Sequence, residues 1–390
     1  MKNTNELNEK SILNSVKNIG KEEIKYNEKV FKTISMLRFI YFLVFLIFLF
    51  CFYIIYIHLK IIKSFSKYDK ILNDLQNKTK VMNNDIKDDI DILEIYKNEQ
   101  NDFCENPDKY IIKKYEDEIF LTQIIFNELK YKMYIYKTDN WVLIPIKNYG
   151  SFETAISNHM IEALQFYSSK YNILNNKDII MLDIGGNVGW YPSLLGRYNY
   201  TILSFEAFEK NYYVSKKNYC YLNKNSNVII IPKGLGNEEK ICNYFNQINN
   251  TGNGMVICDN KDILTDKELG KQFIKQSEVE IITLNSFIPY LPYNNVALMK
   301  LDVEGNELQV LEGGKELITK YHVPFVVLEF SPRYLNEVGT EPRKLVQFFV
   351  DNGYKISLDG FLSKKYITIN ELLKKVGFQV DCYFIHNSVA

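Results

Sequence analysis

The sequence predicts a doubly wound α/β domain with a mostly parallel sheet, set behind an N-terminal transmembrane helix and a helical stem. Three observations carry that prediction. A nineteen-residue run, Phe39 to Ile57, holds no charged residue, glycine or proline. A strand, a glycine turn, a helical segment and a second strand succeed one another between Ile179 and Phe205, the order of a βαβ unit. A further apolar run ends in the charged mouth Leu298–Glu307 and opens into a helical pattern.

Residues 1–38 are polar, with too few apolar groups to build a core, and read as a tail. The apolar run, assigned as a span over 39–59, crosses a hydrocarbon layer of roughly 30 Å at about 1.5 Å per residue. A soluble helix of that length would show a polar face. A cleaved signal peptide would start nearer the N-terminus and carry a shorter apolar region. Lys21, Lys25, Lys29, Lys32 and Arg38 precede the span and Lys60, Lys63, Lys67 and Lys70 follow it, so flanking charge does not choose an orientation. The glycosylation sequons at Asn77, Asn199 and Asn249 all follow the span. They favour a lumenal catalytic domain in the endomembrane system, Golgi or ER. Within 60–100, Tyr68, Leu72, Leu75, Met82, Ile86, Leu93 and Tyr96 keep a seven-residue repeat broken at Thr79 and Asp89. This stretch reads either as a stem pairing two copies into a homodimer or as a solvated helix or linker.

The globular domain is expected over 101–390. Tyr131–Tyr136 and Trp141–Ile146 flank the polar Lys137–Asn140 and predict a β-hairpin. Ile156, Met160, Ile161, Ala163 and Leu164 predict a helix between Gly150 and Lys170. Asn243–Phe273 is polar and irregular, which suits a lid or acceptor loop, or a surface insertion. Glu341–Asn352 reads as a late helix closed by Gly353, and Gln379–Asn387 as the final strand. Basic and acidic side chains number 47 each, which excludes a global charge that would draw the chain to nucleic acid. The six cysteines form no Cys-x-x-Cys pair, which argues against a zinc ribbon or redox motif and leaves their pairing open. No metal-ligand spacing stands out, and no metal is expected.

The chemistry concentrates at two strand mouths. Gly185 and Gly189 let a ligand approach the backbone, and the amides of the next helix point into the same space. A dinucleotide fingerprint started at Gly185 would need glycine at 187 and 190, where Asn187 and Trp190 stand. Glu206, just past the second strand, is placed to accept hydrogen bonds from both hydroxyls of a ribose. At the other mouth Lys300, Asp302, Glu304 and Glu307 crowd together. Glu307 suits a helix N-terminus, whereas alternation puts Lys300 and Asp302 on one face. His322 precedes the strand Val323–Phe330, away from its carboxyl end, and reads as structural.

In that order, MLDIGGNVGW, SFEAFEKN, KLDVEGNELQVLEGG and VVLEFSP resemble the FkbM family of S-adenosylmethionine-dependent methyltransferases, over roughly Phe152 to His386. The resemblance implies a class I, Rossmann-like fold with a seven-stranded sheet whose last strand is antiparallel. It implies S-adenosylmethionine as cofactor, held by the turn Asp183, Gly185, Gly186, Asn187 and Gly189 with Glu206 on the ribose. Gly186 stands where the family more often has alanine, a change expected only to loosen the turn. The implied reaction is O-methylation of a sugar or glycoconjugate hydroxyl, with Lys300, Asp302 and Glu304 at the reacting end. Asp302 is the first candidate for proton acceptor and Glu304 and Glu329 come next, with Lys300 holding the carboxylate ionised. The competing reading is a membrane-tethered binding or scaffold protein whose methyltransferase-like domain is not catalytic.

Overall fold

The computed structural model of the chain describes residues 91–390, apart from 223–225, 248–249, 259–262, 266–271 and 292–294, together with Met36. The tail, the apolar run 39–59 and most of the stem lie outside the described residues. Among those described, no helix is long and apolar enough to cross a membrane. The chain divides into Met1–Asp89 and Ile90–Ala390, and all that follows concerns the second unit.

That unit begins earlier than the expected residue 101. Asp91 caps the helix Ile92–Glu105 by accepting from the Leu93 N–H at 3.0 Å. Tyr96, Gln100 and Phe103, spaced four and three apart, form its buried face. Tyr96, which the heptad reading placed on a stem seam, is therefore a core residue. The disulfide Cys104–Cys220 ties this helix to the end of the helix Glu209–Tyr219.

Fourteen strands follow among the described residues: β1 Ile119–Phe126, β2 Leu129–Tyr136, β3 Ile180–Ile184, β4 Thr201–Phe205, β5 Asn227–Ile231, β6 Gly234–Gly236, β7 Lys240–Gln247, β8 Asn250–Ile257, β9 Ile263–Thr265, β10 Gln272–Thr283, β11 Val296–Leu301, β12 Phe325–Phe330, β13 Tyr354–Ser357 and β14 Val380–His386. The central sheet has seven strands in the order β13-β14-β12-β11-β3-β4-β5. β12, β11, β3, β4 and β5 run parallel, and β14 is antiparallel to both β12 and β13. All residues of β3 and β11 are buried, as parallel strands covered on both faces require. The helix Thr154–Tyr171 covers one face as expected, and Pro342–Asp351 ends at Gly353 with φ 83°. The chain winds from β3 through β4 to β5 on one side and returns through β11 to β12 on the other. The carboxyl ends of β3 and β11 thus flank the switch point, where open α/β sheets bind ligands.

Two expectations need correction. β2 pairs with β1, and Trp141–Ile146 belongs to the helix Asn140–Tyr149. A six-residue apolar run fits either period, and the cap decides. The Asp139 carboxylate accepts from the N–H groups of Trp141 and Val142, while Val142 and Ile146, one helical turn apart, are the residues buried. The segment Asn243–Phe273 is strand rather than loop over much of its length. β6, β10, β7 and β8 form a second sheet, with β9 paired to β10. Cys242 and Tyr244 alternate inward, and the disulfide Cys242–Cys258 joins β7 to the residue just after β8. Phe245, next to Tyr244, is buried on the other face while Ile241 is exposed, so the strand shows no simple alternation in the sequence. His322 is structural, bonding the Ile318 carbonyl and stacking on His386 with ring centroids 4.5 Å apart.

Candidate functional site

β3 ends at Ile184 and the chain reverses through Gly185, whose φ of 84° and close packing exclude a side chain. A Cβ there would lie 1.8 Å from the Asp302 carbonyl oxygen. The turn is pinned from the other side as well, because the N–H groups of Gly185 and Gly186 both donate to the Phe205 carbonyl, at 3.0 and 2.9 Å. The Asp302 N–H donates to the Ile184 carbonyl at 3.0 Å, so backbone contacts hold this turn to β4 and to the chain just past β11.

Glu206, nearly buried, follows β4 and faces this turn. One carboxylate oxygen accepts from the Asn187 N–H at 2.7 Å and the other from the Phe208 N–H at 2.8 Å. Each oxygen keeps a lone pair for a further donor. Burial pushes the carboxyl up to about 7, against the pull of those two N–H groups. A cavity of about 870 Å³, its open mouth included, lies between Glu206, Gly185 and Asn187 on one side and Tyr244, Gly254 and Val256 of the second sheet on the other. Tyr244 stacks on Phe208 at 4.2 Å between centroids, and Asn211, held by the Tyr136 hydroxyl at 2.9 Å, lines the same space. A glycine-floored hollow with a backbone-oriented carboxylate fits the ribose and methionine portions of a nucleoside sulfonium.

Three members of the expected turn stand behind the cavity rather than in it. Asp183 is fully buried and accepts from the Ser204 hydroxyl at 2.8 Å, and Gly189, with φ 81°, packs on Ser215. Gly186 also lies off the cavity lining, against Ser204. These residues shape the turn and Glu206, Asn187 and Gly185 meet the cavity.

At the second mouth Lys300 is almost buried and bridges the two strands. Its ammonium donates to the Gly185 carbonyl and to Asp302 Oδ2, both at 3.0 Å, and lies 5.6 Å from the Tyr191 ring centre. Burial pulls the ammonium down, but Asp302, Asp183 and Glu153 together hold it above the ordinary lysine range. Glu304, at φ 52°, is pushed well up by burial and then by Asp302, Glu329 and Glu307. Glu307 turns back to accept from the N–H groups of Gly305 and Val303, so it braces the loop and starts the helix Glu307–Gly313. Glu329, at the end of β12, accepts from the Gln379 amide at 2.6 Å and is pushed up to about 9 by burial, Asp302 and Glu153.

Two carboxylates not expected from the sequence complete this mouth. Glu153, at φ 43° before the helix Thr154–Tyr171, accepts from the Tyr191 hydroxyl and is raised to about 7 by burial. Asp381, early in β14, is raised to about 6 by burial and by Asp302. With Lys300, Asp302 and Glu329 they line a second, smaller cavity. Asp302 lines both cavities and is the point where they meet. Neither Glu153 nor Asp381 has a local motif; each reaches the mouth from an element distant in sequence.

Residues 183–356 match the model of the Methyltransferase FkbM domain. No curated protein matches. Among solved structures, magnesium protoporphyrin IX methyltransferase (ChlM) from Synechocystis PCC 6803 with bound SAM is 8% identical, covering 60% of this chain and 81% of its own, at a TM-score of 0.30. Monomeric WbdD is 12% identical, covering 63% of this chain and 44% of its own, at a TM-score of 0.34. A fibrillarin/Nop5p complex is 12% identical, covering 57% and 80%, at a TM-score of 0.30.

Proposed function

We propose that this chain, an S-adenosylmethionine-dependent methyltransferase carrying the FkbM methyltransferase domain at residues 183–356, is an O-methyltransferase acting on a hydroxyl of a sugar or glycoconjugate. The observation that carries the reading is the position of Asp302 between the hollow that contains Glu206 and the acid-lined cavity beside it.

Bound S-adenosylmethionine supplies an electrophilic methyl group. Glu206 would hold the ribose hydroxyls, and Gly185 and Asn187 would meet the cofactor beside it. An acceptor hydroxyl entering from the smaller cavity meets Asp302 first. Its proton moves to Asp302, whose Oδ2 is held by the Lys300 ammonium at 3.0 Å. Glu304 and Glu329, raised by burial and neighbouring carboxylates, serve as hydrogen-bond donors to acceptor oxygens, and either is the next candidate for the base only once it has lost its own proton. Positioning of the oxygen in line with the methyl group supplies most of the remaining rate.

We place the domain on the lumenal side of an endomembrane, anchored by the apolar run 39–59. Two features support this reading. Disulfides such as Cys104–Cys220 and Cys242–Cys258 persist in oxidising compartments, and the Asn199 sequon lies on the exposed surface. A glycosidase-sensitive mass shift of the full-length protein tests the sidedness.

The catalytic reading is tested on the purified full chain, with S-adenosylhomocysteine binding followed by calorimetry and methyl incorporation scored on a glycan panel. Asp302→Asn should lower turnover by roughly 10²–10⁴-fold with cofactor affinity retained. Glu206→Ala should weaken S-adenosylhomocysteine by about tenfold or more, the loss of charge-assisted hydrogen bonds to the ribose. Full activity of Asp302→Asn would remove the assignment of the base.

A further inference from the structure

We propose that Asp302, Glu304 and Glu329 form a divalent-cation site that binds and orients the acceptor hydroxyl; the proposal rests on the methyltransferase reading above and adds a metal to it. One carboxylate oxygen from each of the three lies within 4.8 Å of the others, close enough for a single ion to span. They come from two neighbouring parallel strands, Asp302 and Glu304 just past β11 and Glu329 at the end of β12, so the sheet itself sets their separation.

Two of the three are already oriented. Lys300 holds Oδ2 of Asp302 and Gln379 holds Oε1 of Glu329, so each carboxylate is fixed through one oxygen and can turn the other toward an ion. Donors on the outer oxygen of a ligating carboxylate are the usual support of a metal site. The third supplies an independent observation. Glu304 Oε2 is shut off from solvent and has no hydrogen-bond partner among the described residues, an arrangement that costs stability unless something binds it.

Three carboxylate oxygens are hard donors and select Mg²⁺, Mn²⁺ or Ca²⁺ over softer ions. Three protein ligands leave positions open on an ion that accepts six, and two adjacent hydroxyls of a sugar are the matching bidentate ligand. An ion there would also lower the pKa of a bound hydroxyl. The inferred acceptor class is thus a vicinal diol.

The test uses the purified full chain with MnCl₂ alone, following the free Mn²⁺ signal by electron paramagnetic resonance, and separately measures S-adenosylhomocysteine binding by calorimetry. We expect one Mn²⁺ bound per chain with a dissociation constant below about 1 mM, displaced by Mg²⁺. Glu329→Gln should weaken Mn²⁺ at least about tenfold. The exposed Gln379→Leu, which leaves every ligand in place, should weaken it by a smaller factor and guards against a misfolded first variant. If S-adenosylhomocysteine binds and Mn²⁺ does not, the ion site is wrong and the methyltransferase reading stands. Mn²⁺ binding that ignores both substitutions places the ion elsewhere and equally overturns the proposal. Loss of S-adenosylhomocysteine binding in the unaltered chain strikes the methyltransferase reading, whatever Mn²⁺ does.

Discussion

Gly186 adopts a backbone conformation open to alanine, since its φ is not positive, yet a Cβ there would sit 2.2 Å from the Ser204 hydroxyl. The sequence expectation that glycine merely loosens the turn is therefore replaced by a packing reason: the missing methyl makes room for Ser204. That hydroxyl is the hydrogen-bond donor to Asp183, whose other oxygen is buried without a partner among the described residues. Gly186→Ala should force Ser204 away from Asp183 and cost about 1–3 kcal/mol in urea unfolding. Gly186→Ala with Ser204→Ala should be less destabilised than the two single changes added together, by about 1 kcal/mol. Simple additivity would mean the two side chains do not compete for the space. At this scale the sequence was informative where chemistry sits at a strand end. Lys300, Asp302, Glu304 and Glu329 all reach one mouth, because strand alternation and the parallel β11–β12 pair place them there. Glu153 and Asp381 were illegible because nothing local marks a residue whose role is set by how a distant helix or strand docks.

Among elements, the helix Ile92–Glu105 has the clearest consequence. β5 is an edge strand, and its outer N–H and C=O groups need partners. Gln100, fully buried, supplies them: its amide donates to the Val228 carbonyl at 3.0 Å and its carbonyl accepts from the Ile230 N–H. One glutamine thus stands in for a missing strand. Gln100→Leu leaves both backbone groups buried and unpaired, and should lower unfolding free energy by about 2–4 kcal/mol in a denaturant titration. A chain begun at residue 101 should show at least that loss and a tendency to associate through the uncovered edge, visible in size-exclusion chromatography. A stable, monodisperse 101–390 would contradict this role. The βαβ elements were readable because each strand ends in glycine or charge, which fixes its period and its limit. Trp141–Ile146 was not, since six apolar residues suit either period until the Asp139 cap is seen. The second sheet escaped because its buried residues are divided between two faces, Cys242 and Tyr244 on one and Phe245, Met255 and Phe273 on the other, with polar residues between them that break any simple alternation.

Across the whole molecule, the site sets the pH dependence of stability. Burial raises Glu153, Glu206 and Glu307 to about 7, Asp381 to about 6 and Glu329 to about 9. Between the ordinary carboxylate value and those raised values, the folded chain keeps protons that the unfolded chain has released. The unfolded state then binds fewer protons, so stability falls as pH rises. The contribution is complete below about pH 4 and is lost by about pH 7 for the first group and pH 9 for Glu329. Asp102, held down to about 2 by Lys109 and Tyr110, acts in the opposite sense but over a window that closes below pH 4. His386, lowered by burial and by His322, also opposes the trend, as a single group just below pH 6.5. The cofactor-free chain in chelator should therefore show a melting temperature that declines from pH 5 to pH 8, by calorimetry or intrinsic fluorescence. Glu329 carries a window from about pH 4 to past pH 8, so Glu329→Gln should lessen the decline throughout, most visibly between pH 7 and 9, where Glu153, Glu206, Glu307 and Asp381 no longer contribute. A melting temperature that rises or stays level from pH 5 to 8 would mean that these acids are ionised in the folded protein and compensated by groups other than Lys300.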